Sequence, residues 1–443
     1  MSAKQSQEPL RAVDLPSLTT TLPLKTCRIC VIVPVRNEAE HLPNTLGALA
    51  QQVDSQGRPL NPDSYEVLVL ANNCSDGSAA IAAALGKVYP ALHLHVLEVT
   101  LPAAQATVGG ARRLVMNEAY RRLALIEREH PAEKRRLIAS TDGDTEVAAT
   151  WLATLLSEFD QGVDAVCGRI LTRRTVALGI QAETSLYFLR YMAHRYLTAQ
   201  IEAFLDPLPH DCWPRHYQHF GANMGVSSEI YGRVGGIPNV QNQEDVALYR
   251  RLQQVDAKIR HSPHVRVTTS ARRTGRTSGG LAERLSQLTQ AGRQRRAVLV
   301  ESPQLTEARI LVRNQLRQIW TAINCNACSL TLWSARISLL AESLGLAEAQ
   351  LQQAIAIAPT FGLLLEAVEL EQKQGADTSF WLHATTEISL ANMHLRQRLQ
   401  GLRQQWAASA ATLDSLAQPY DLPGNGLETL KQIQPIPLFS LTY

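Results

Sequence analysis

Apolar runs and segments of helical period alternate along the chain up to residue 270. The stretches CRICVIVP (27–34), SYEVLVLA (64–71) and LHLHVLEV (92–99) are rich in hydrophobic residues, which is typical of strands buried within a sheet. After the first run, apolar residues recur at helical spacing, at Leu42, Leu46, Leu49 and Val53. This alternation predicts an α/β fold with a Rossmann-like, mixed but mostly parallel sheet that is flanked by helices.

The pattern changes at the basic, Gly/Ser-rich stretch 271–280, beyond which only helical periodicity is visible. The clearest predicted helices are 306–323, 330–343, 346–357 and 378–407. We therefore predict an all-α C-terminal region without strands. The predicted organisation is a flexible N-terminal lead-in (1–24), an α/β domain (25–275), a helical region (276–415) and a Pro-containing tail (416–443).

Composition excludes several classes of protein. Of 443 residues, 45% are hydrophobic, enough to build sizeable cores, and a formal charge of +3 is too balanced to indicate nucleic-acid binding. No apolar run is long enough to span a membrane, and the first residues lack the apolar core of a secretory signal, so we expect a cytoplasmic protein. Seven cysteines without framework spacing favour reduced thiols.

Polar residues follow three of the predicted strands, at the points where ligands bind in open α/β sheets. They are residues 34–38 (PVRNE), 72–78 (NNCSDGS) and 141–144 (TDGD). The second cluster also fits an ordinary turn, and the acids of the third also fit a solvated loop or a helix cap. Asp142 and Asp144, one residue apart, can alternatively hold a divalent cation and leave sites for waters and a diphosphate.

In this order, VIVPVRNEAEHLPNTLGAL, NNCSDGS and STDGDTEV resemble the family 2 glycosyltransferases of the GT-A fold. Two later stretches agree: FGANMG (220–225) with GGI (235–237) resembles the acceptor side of that family, and QEDV (243–246) resembles its catalytic-base motif. The resemblance covers residues 27–270. It implies an enzyme of the hexosyltransferase type that inverts the anomeric carbon, using a nucleoside-diphosphate sugar and Mg²⁺ or Mn²⁺.

The resemblance assigns roles to particular residues. Asp245 would be the general base, with Glu244 sharing or taking that role, and Asp144 and Asp142 of the DxD motif would bind the metal and diphosphate. The nucleotide-sugar site would further include Pro34, Arg36, Glu38, Asn72, Asp76, Gly110 and Arg112. The acceptor side would include Gly221, Asn223 and His219. For Gly110 and Arg112, a tight turn with surface arginines is an equally good interpretation.

Several positions depart from the family pattern. Ala71 and Asn72 stand where adjacent acids are common, which leaves the donor nucleotide open between uridine, guanosine and others. The stretch 268–273 has no metal-binding His, and Arg272, Arg273 or Arg276 could neutralise the diphosphate instead. Gln294 follows Arg293 where processive synthases carry Trp, which argues for transfer of a single sugar.

Other signals allow different interpretations. Two C-x-x-C pairs, at 27/30 and 325/328, could bind zinc, although buried thiols are the favoured interpretation. The stretch 210–219 holds three His and a Cys, which fits a metal site or, preferably, a loop over the acceptor pocket. Trp320 and Trp333, with three arginines (Arg313, Arg317 and Arg336), could rest on anionic lipid, but core tryptophans with solvated arginines are favoured.

Two alternative functions are compatible with parts of the sequence. They are an inactive nucleotide-sugar-binding scaffold and a nucleotidyltransferase, the latter disfavoured because the first strand ends without a Gly-rich basic turn. The sugar and the acceptor (a small molecule, a lipid or a glycan) stay open. The sequence also leaves open whether the protein contacts the inner membrane face and whether it forms a homodimer.

Overall fold

The computed structural model describes residues 8–131, 135–173, 182–270, 281–325, 329–375, 384–412 and 436–438. The chain forms two compact units, each assembled from several stretches. Unit 1 comprises residues 1–179, 218–253 and 257–286, and unit 2 comprises residues 180–217, 254–256 and 287–443. The contiguous domain boundaries expected from the sequence stay predictions.

Unit 1 is built on an eight-stranded sheet with the order β3-β2-β1-β4-β7-β6-β8-β5. The strands are β1 (Ile29–Val35), β2 (Tyr65–Asn72), β3 (Leu94–Val99), β4 (Leu137–Thr141), β5 (Thr145–Val147), β6 (Ala165–Thr172), β7 (Asn223–Ser227) and β8 (Ile259–Thr269). Strands β3, β2, β1 and β4 are parallel neighbours, as are β6 and β8, whereas β7 runs antiparallel to both β4 and β6. The predicted fold class, a mixed and mostly parallel sheet flanked by helices, is confirmed.

The helices among these strands are α1 (Leu42–Ala50), α2 (Ser78–Val88), α3 (Val108–Glu129), α4 (Trp151–Asp160), α6 (Ser228–Arg233) and α7 (Glu244–Gln254). The odd-numbered residues of β1 form one apolar cluster with Leu46 of α1 and Trp151 of α4. Because successive strand residues face opposite sides, the even-numbered residues point toward the other face, where α3 packs on β1. Every residue of β1 and β2 is buried. Burial on both faces explains the long apolar runs in the sequence.

Sheet topology brings the polar strand ends together. Since β1, β2 and β4 are parallel, the residues after Val35, Asn72 and Thr141 lie along one edge of the sheet. Antiparallel pairing then places Asn223, the first residue of β7, opposite Thr141. The loop before β7 therefore meets the Asp142–Asp144 loop.

Unit 2 is mainly helical. Its helices are α5 (Ala182–Leu205), α9 (Pro303–Asn324), α10 (Ser334–Leu344), α11 (Glu348–Ile357), α12 (Phe361–Gly375) and α13 (Ile388–Thr412), while α8 (Leu281–Arg293) begins in unit 1. Leucine, isoleucine and valine side chains of α9 to α12 form its largest apolar core. Acids near the end of α5 pair with arginines of α9: Asp206 accepts from Arg313 at 2.7 Å and from Arg317 at 3.1 Å.

The helical character of the C-terminal region agrees with the sequence analysis, but the expectation of no strands was wrong. Strands β9 (Leu299–Glu301) and β10 (Thr385–Glu387) form a two-stranded antiparallel sheet. Three residues are too few to show a period of two in the sequence. Residues 330–333 form a 3₁₀ turn before α10, and α12 was not predicted as a helix of its own.

Two sequence-based expectations fall on residues with no structural description. The basic stretch 271–280 and nearly all of the tail 416–443 lie outside the described residues. Among the helices that the structure does describe, none combines the length and the apolar character that crossing a membrane requires.

Candidate active site

The loops after β1 and β2 are tied together by side-chain hydrogen bonds. Asn37, in the left-handed region at φ 54°, accepts a bond from the Ser75 N–H at 2.8 Å. Asp76 accepts from the N–H of Ala39 at 2.9 Å and from the hydroxyl of Ser78 at 2.6 Å. Burial raises the pKa of Asp76, but these bonds outweigh it and hold the pKa below its ordinary value. Asp76 thus shapes the loops, and its predicted contact with a nucleotide stays a prediction.

The other residues predicted for the nucleotide pocket lie along the same edge. Pro34 is buried within β1, beside Leu70 of β2. Arg36 is exposed and donates to the carbonyl of Ala106 at 2.7 Å. Glu38 is buried. Asn72 ends β2 with its side chain buried and its amide oxygen without a hydrogen-bond partner, so it can accept a bond from a ligand.

Arg112 occupies the centre of the site. Its guanidinium donates to the Asp142 carboxylate at 2.6 Å and to the Glu244 carboxylate, although the three residues lie on α3, after β4 and at the start of α7. Arg112 is 4% exposed. Burial alone would lower its pKa, but Asp142 and Glu244 raise the pKa of Arg112 above its ordinary value. The surface-arginine interpretation of this position was wrong.

Gly110, two residues earlier, belongs to the first turn of α3. Its N–H donates to the side chain of Thr107, the N-cap residue, at 3.0 Å. A Cβ at this position would lie 2.1 Å from the carbonyl oxygen of Gln105, so only glycine fits. The structure therefore explains Gly110 by close packing, and a contact with phosphate or sugar stays a prediction.

Four carboxylates lie in this part of the site. Asp142 and Glu244 accept bonds from Arg112, the charge of Asp245 also acts on Arg112, and the charge of Asp144 acts on Asp142. Burial raises the pKa of Asp142, the charge of Arg112 lowers it, and the charge of Asp144 raises it again, with a net increase. For Glu244, burial and the neighbouring Asp245 likewise raise the pKa against the effect of Arg112. The site thus has an excess of negative charge that suits a divalent cation.

Asp142 and Asp144 are half-buried and offer the hard oxygen ligands that Mg²⁺ and Mn²⁺ prefer. Within the described ranges, no three His, Cys, Asp or Glu side chains form a group that could hold a metal ion on their own. The two aspartates therefore fit a cation whose remaining ligands are waters and a diphosphate, as in sites that bind Mg²⁺ together with substrate phosphates.

Asp245 and Gly221 form a second contact beside Arg112. The N–H of Gly221 donates to Oδ2 of Asp245 at 2.8 Å, while the carbonyl of Gly221 accepts from Ser140 at 2.6 Å. Asp245 is only partly buried, whereas Glu244 is 3% exposed. Of the two acids, Asp245 is the more accessible to a substrate hydroxyl.

The remaining acceptor-side residues have well-defined protein partners. The amide group of Asn223 accepts from the Trp151 indole at 2.9 Å and donates to the carbonyls of Arg169 and Val265 at 3.1 Å each. This gives Asn223 a structural role in the sheet. His219 is buried and stacks on Tyr249, with ring centroids 4.2 Å apart. Acceptor contacts of both residues stay predictions.

Two residues of the site were not singled out from the sequence. The hydroxyl of Ser270 donates to Asp144, at the end of the strand where a His was sought. Tyr249 follows Asp245 by four residues on α7, and this spacing could have signalled a shared helix face. Arg272, Arg273 and Arg276 lie outside the described residues.

The competing signals receive little support. Cys27 and Cys30 are buried, and burial raises the pKa of Cys27 to about 12. Cys325 is exposed, which corrects the expectation of a buried thiol there, and Cys328 lies outside the described residues. The described residues of 210–219 contribute to no metal-binding group.

The lipid interpretation of α9 and α10 also loses its main support. Arg313 and Arg317 pair with Asp206, so they are not available as a basic surface. Trp320 is partly buried and donates to the carbonyl of Ala358 at 3.0 Å, which agrees with a core tryptophan.

Comparison with known proteins finds one family that matches part of the chain. Residues 30–215 match the family described as glycosyl transferase family 2. No curated protein sequence matches the chain. Similar solved structures include the mannosyltransferase PcManGT from Pyrobaculum calidifontis in complex with GDP-Man and Mn²⁺ (16% identity, TM-score 0.37, covering 82% of this chain and 91% of that one). Another is S. aureus TarS 1-349 in complex with UDP-GlcNAc (14% identity, TM-score 0.39, covering 85% and 92%).

The family match ends before Gly221 and Asp245, whose roles remain to be proposed. It includes β1 to β6 and the Asp142–Asp144 pair, and it confirms the resemblance found in the sequence. Over residues 30–215, the chain is therefore similar to glycosyl transferase family 2.

Proposed function

We propose that the protein is a metal-dependent, inverting glycosyltransferase that moves one sugar from a nucleoside-diphosphate sugar to an acceptor hydroxyl. The observation that carries the proposal is the meeting of two acidic groups at one sheet edge, Asp142 with Asp144 and Glu244 with Asp245, on either side of Arg112. The first group fits a cation and a diphosphate, and the second contains an accessible carboxylate fit to act as a base.

Each residue has a role in the proposed reaction. Asp142 and Asp144 would hold a Mg²⁺ or Mn²⁺ ion, which when bound supplies Lewis-acid stabilisation of the leaving diphosphate. Asp245 accepts the proton of the acceptor hydroxyl as its oxygen attacks the anomeric carbon. The bond from that carbon to the diphosphate oxygen breaks with its electron pair, so one displacement inverts the configuration. The Gly221 N–H orients the Asp245 carboxylate for this step.

Donor recognition is proposed for the edge formed by β1 and β2. Asn72, with its unpartnered amide oxygen, would accept a hydrogen bond from the nucleobase. The absence of a carboxylate at Asn72 leaves more than one base compatible with the site. The acceptor is likewise open among small molecules, lipids and glycans.

The test begins with binding. Thermal unfolding of the wild type, Asp144→Asn and the control Asp160→Asn is measured with UDP, GDP, CDP or dTDP, each with Mn²⁺ or EDTA. Asp160 is an exposed acid at the end of α4. We expect one nucleotide to raise the melting temperature of the wild type and of the control, and this effect to disappear with EDTA and in Asp144→Asn.

Turnover is tested next with the sugar derivatives of the nucleotide that binds. The assay measures release of the nucleoside diphosphate. Asp245→Asn should lower kcat about 10²- to 10⁴-fold, the usual contribution of a general base. A folded wild type that no nucleotide stabilises at millimolar concentration contradicts the proposal. Nucleotide binding by a wild type that releases no nucleoside diphosphate from any sugar derivative would favour the inactive-scaffold alternative. Turnover that Asp245→Asn leaves unchanged would refute the role of Asp245 as the base.

A further inference from the structure

Glu244 is held on two sides by the first turns of α3. One carboxylate oxygen accepts from Arg112, and a Cβ added at Gly109 would lie 3.0 Å from the other carboxylate oxygen. The Glu244 side chain is therefore packed between helix backbone and guanidinium. Such a carboxylate is poorly placed to reach a substrate hydroxyl, because its surroundings are filled by protein atoms.

The guanidinium that anchors Glu244 also supports the loop before β7. A Cβ at Gly221 would lie 2.6 Å from Cζ of Arg112 and 2.7 Å from Nη1, so the backbone of this glycine rests directly on the guanidinium. The N–H of the same glycine donates to Asp245. One continuous set of contacts thus runs from Glu244 through Arg112 and Gly221 to the Asp245 carboxylate.

Glu244 and Asp245 are also the first two residues of α7. Fixing the Glu244 side chain fixes the start of this helix, and with it the backbone of Asp245. Two restraints that both depend on Glu244 therefore act on Asp245, one through its own backbone and one through the Gly221 N–H. A misplacement of about 1 Å at a reacting group can cost about 10²-fold in rate.

We propose that Glu244 is a positioning residue, which through Arg112 holds Asp245 in the orientation for proton removal, and that Glu244 itself takes no proton. The inference deepens the proposed function and rests on it. It corrects the expectation that Glu244 shares the role of base, and it makes Arg112 a positioning residue between the two acidic groups.

The experiment compares four variants, Glu244→Gln, Glu244→Ala, Asp245→Asn and Arg112→Lys. The control is Glu229→Gln, an exposed acid in the first turn of α6. Glutamine still accepts a hydrogen bond from Arg112 but cannot take a proton. Glu244→Gln should therefore keep kcat within about tenfold of the wild type, the cost of weakening one hydrogen bond.

The other variants should lose more activity than Glu244→Gln. Glu244→Ala should lower kcat about 10²-fold with little change in the donor KM. Arg112→Lys should lower kcat at least as much, because lysine cannot span two carboxylates as arginine does, and should also raise the donor KM, because Asp142 loses part of its support. Asp245→Asn should lower kcat as much or more. A loss in Glu244→Gln that equals the loss in Asp245→Asn would overturn the proposal.

A second readout needs no turnover. Hydrogen exchange of the Gly221 N–H, followed by NMR, reports directly on its bond to Asp245. Its protection should persist in Glu244→Gln and fall at least tenfold in Glu244→Ala and Arg112→Lys. Unchanged protection in both of these variants overturns the positioning role, even if the wild type transfers no sugar. Failure of the proposed function is recognised separately, as the absence of nucleotide binding by the wild type.

Discussion

Arg122, on α3, is an arginine buried to 1% exposure, and its ion pair with Glu66 of β2 gives the sharpest stability prediction. Its Nε donates to Glu66 at 2.8 Å, and Nη1 donates to the hydroxyl of Thr19 at 2.7 Å and to the carbonyl of Thr21 at 2.8 Å. Arg122→Met removes the charge but keeps much of the side-chain volume. We therefore expect the change to leave the buried Glu66 carboxylate without its counter-ion.

The magnitude follows from these contacts. Breaking a buried pair by removing one partner costs about 3–5 kcal/mol. The two bonds to Thr19 and Thr21 add about 1 kcal/mol each, partly offset by relaxation of the segment that contains them. We expect the free energy of unfolding of unit 1 to fall by about 5 kcal/mol. The double variant Arg122→Met/Glu66→Met should lose clearly less, since no unpaired charge remains.

Native-state hydrogen exchange at the most protected amides of β1 and β2 measures this free energy within unit 1. The matched control is Arg11→Met, which removes an ion pair exposed to 73% at the arginine and should cost less than about 1 kcal/mol. A loss below about 1 kcal/mol in Arg122→Met, or a double variant no more stable than the single one, would refute the reasoning.

Three further predictions concern other parts of the molecule. Burial and the charge of Arg195 lower the pKa of His194 to about 4, against an opposing effect of Glu301. The unfolded side chain titrates near 6.5, so between pH 6.5 and 4 the unfolded state binds a proton that the folded state does not. The free energy of unfolding is therefore unaffected by His194 above pH 6.5 and falls by about 3 kcal/mol as the pH drops towards 4. The free energy of unfolding of unit 2, measured from pH 7.5 to 4.5, should therefore fall more steeply with decreasing pH in the wild type than in His194→Gln. Equal slopes in the two proteins would contradict the prediction. Gly221→Ala should lower kcat about 10²-fold in the nucleotide-release assay, because the new methyl group collides with a guanidinium, and unchanged turnover would be inconsistent with that packing. Cys325 should react with iodoacetamide in the native protein while buried Cys30 does not, a difference that mass spectrometry detects and that equal labelling would disprove.

The sheet could be predicted from the sequence because each of its central strands is buried on both faces. Such strands produce apolar runs that few other structures require, as in residues 27–34 and 64–71. The parallel order then places the strand ends together, so the sequence alone assigns Asp142 and the residues after Asn72 to one edge.

The contacts within the site could not be predicted in the same way. Arg112 meets Glu244 across 132 residues of sequence, and nothing local distinguishes it from Arg113 next to it. Which of two adjacent arginines points inward depends on the rotation of α3 on the sheet, a tertiary property. The fit of Gly221 against a guanidinium is likewise a matter of a few tenths of an ångström, which residue types alone do not encode.

The order in which the chain supplies unit 2 has a consequence for its synthesis. Asp206 leaves the ribosome 107 residues ahead of Arg313, its partner in the folded unit. At ordinary rates of translation, the acid waits roughly 5–20 s for that arginine, while β7 and β8 are made in between and complete the sheet of unit 1. During this interval Asp206 lacks Arg313 and Arg317, and α5 lacks its apolar neighbours on α9. A nascent chain from which β8 but not α9 has left the ribosome should therefore combine a finished sheet with a helix that chaperones can bind.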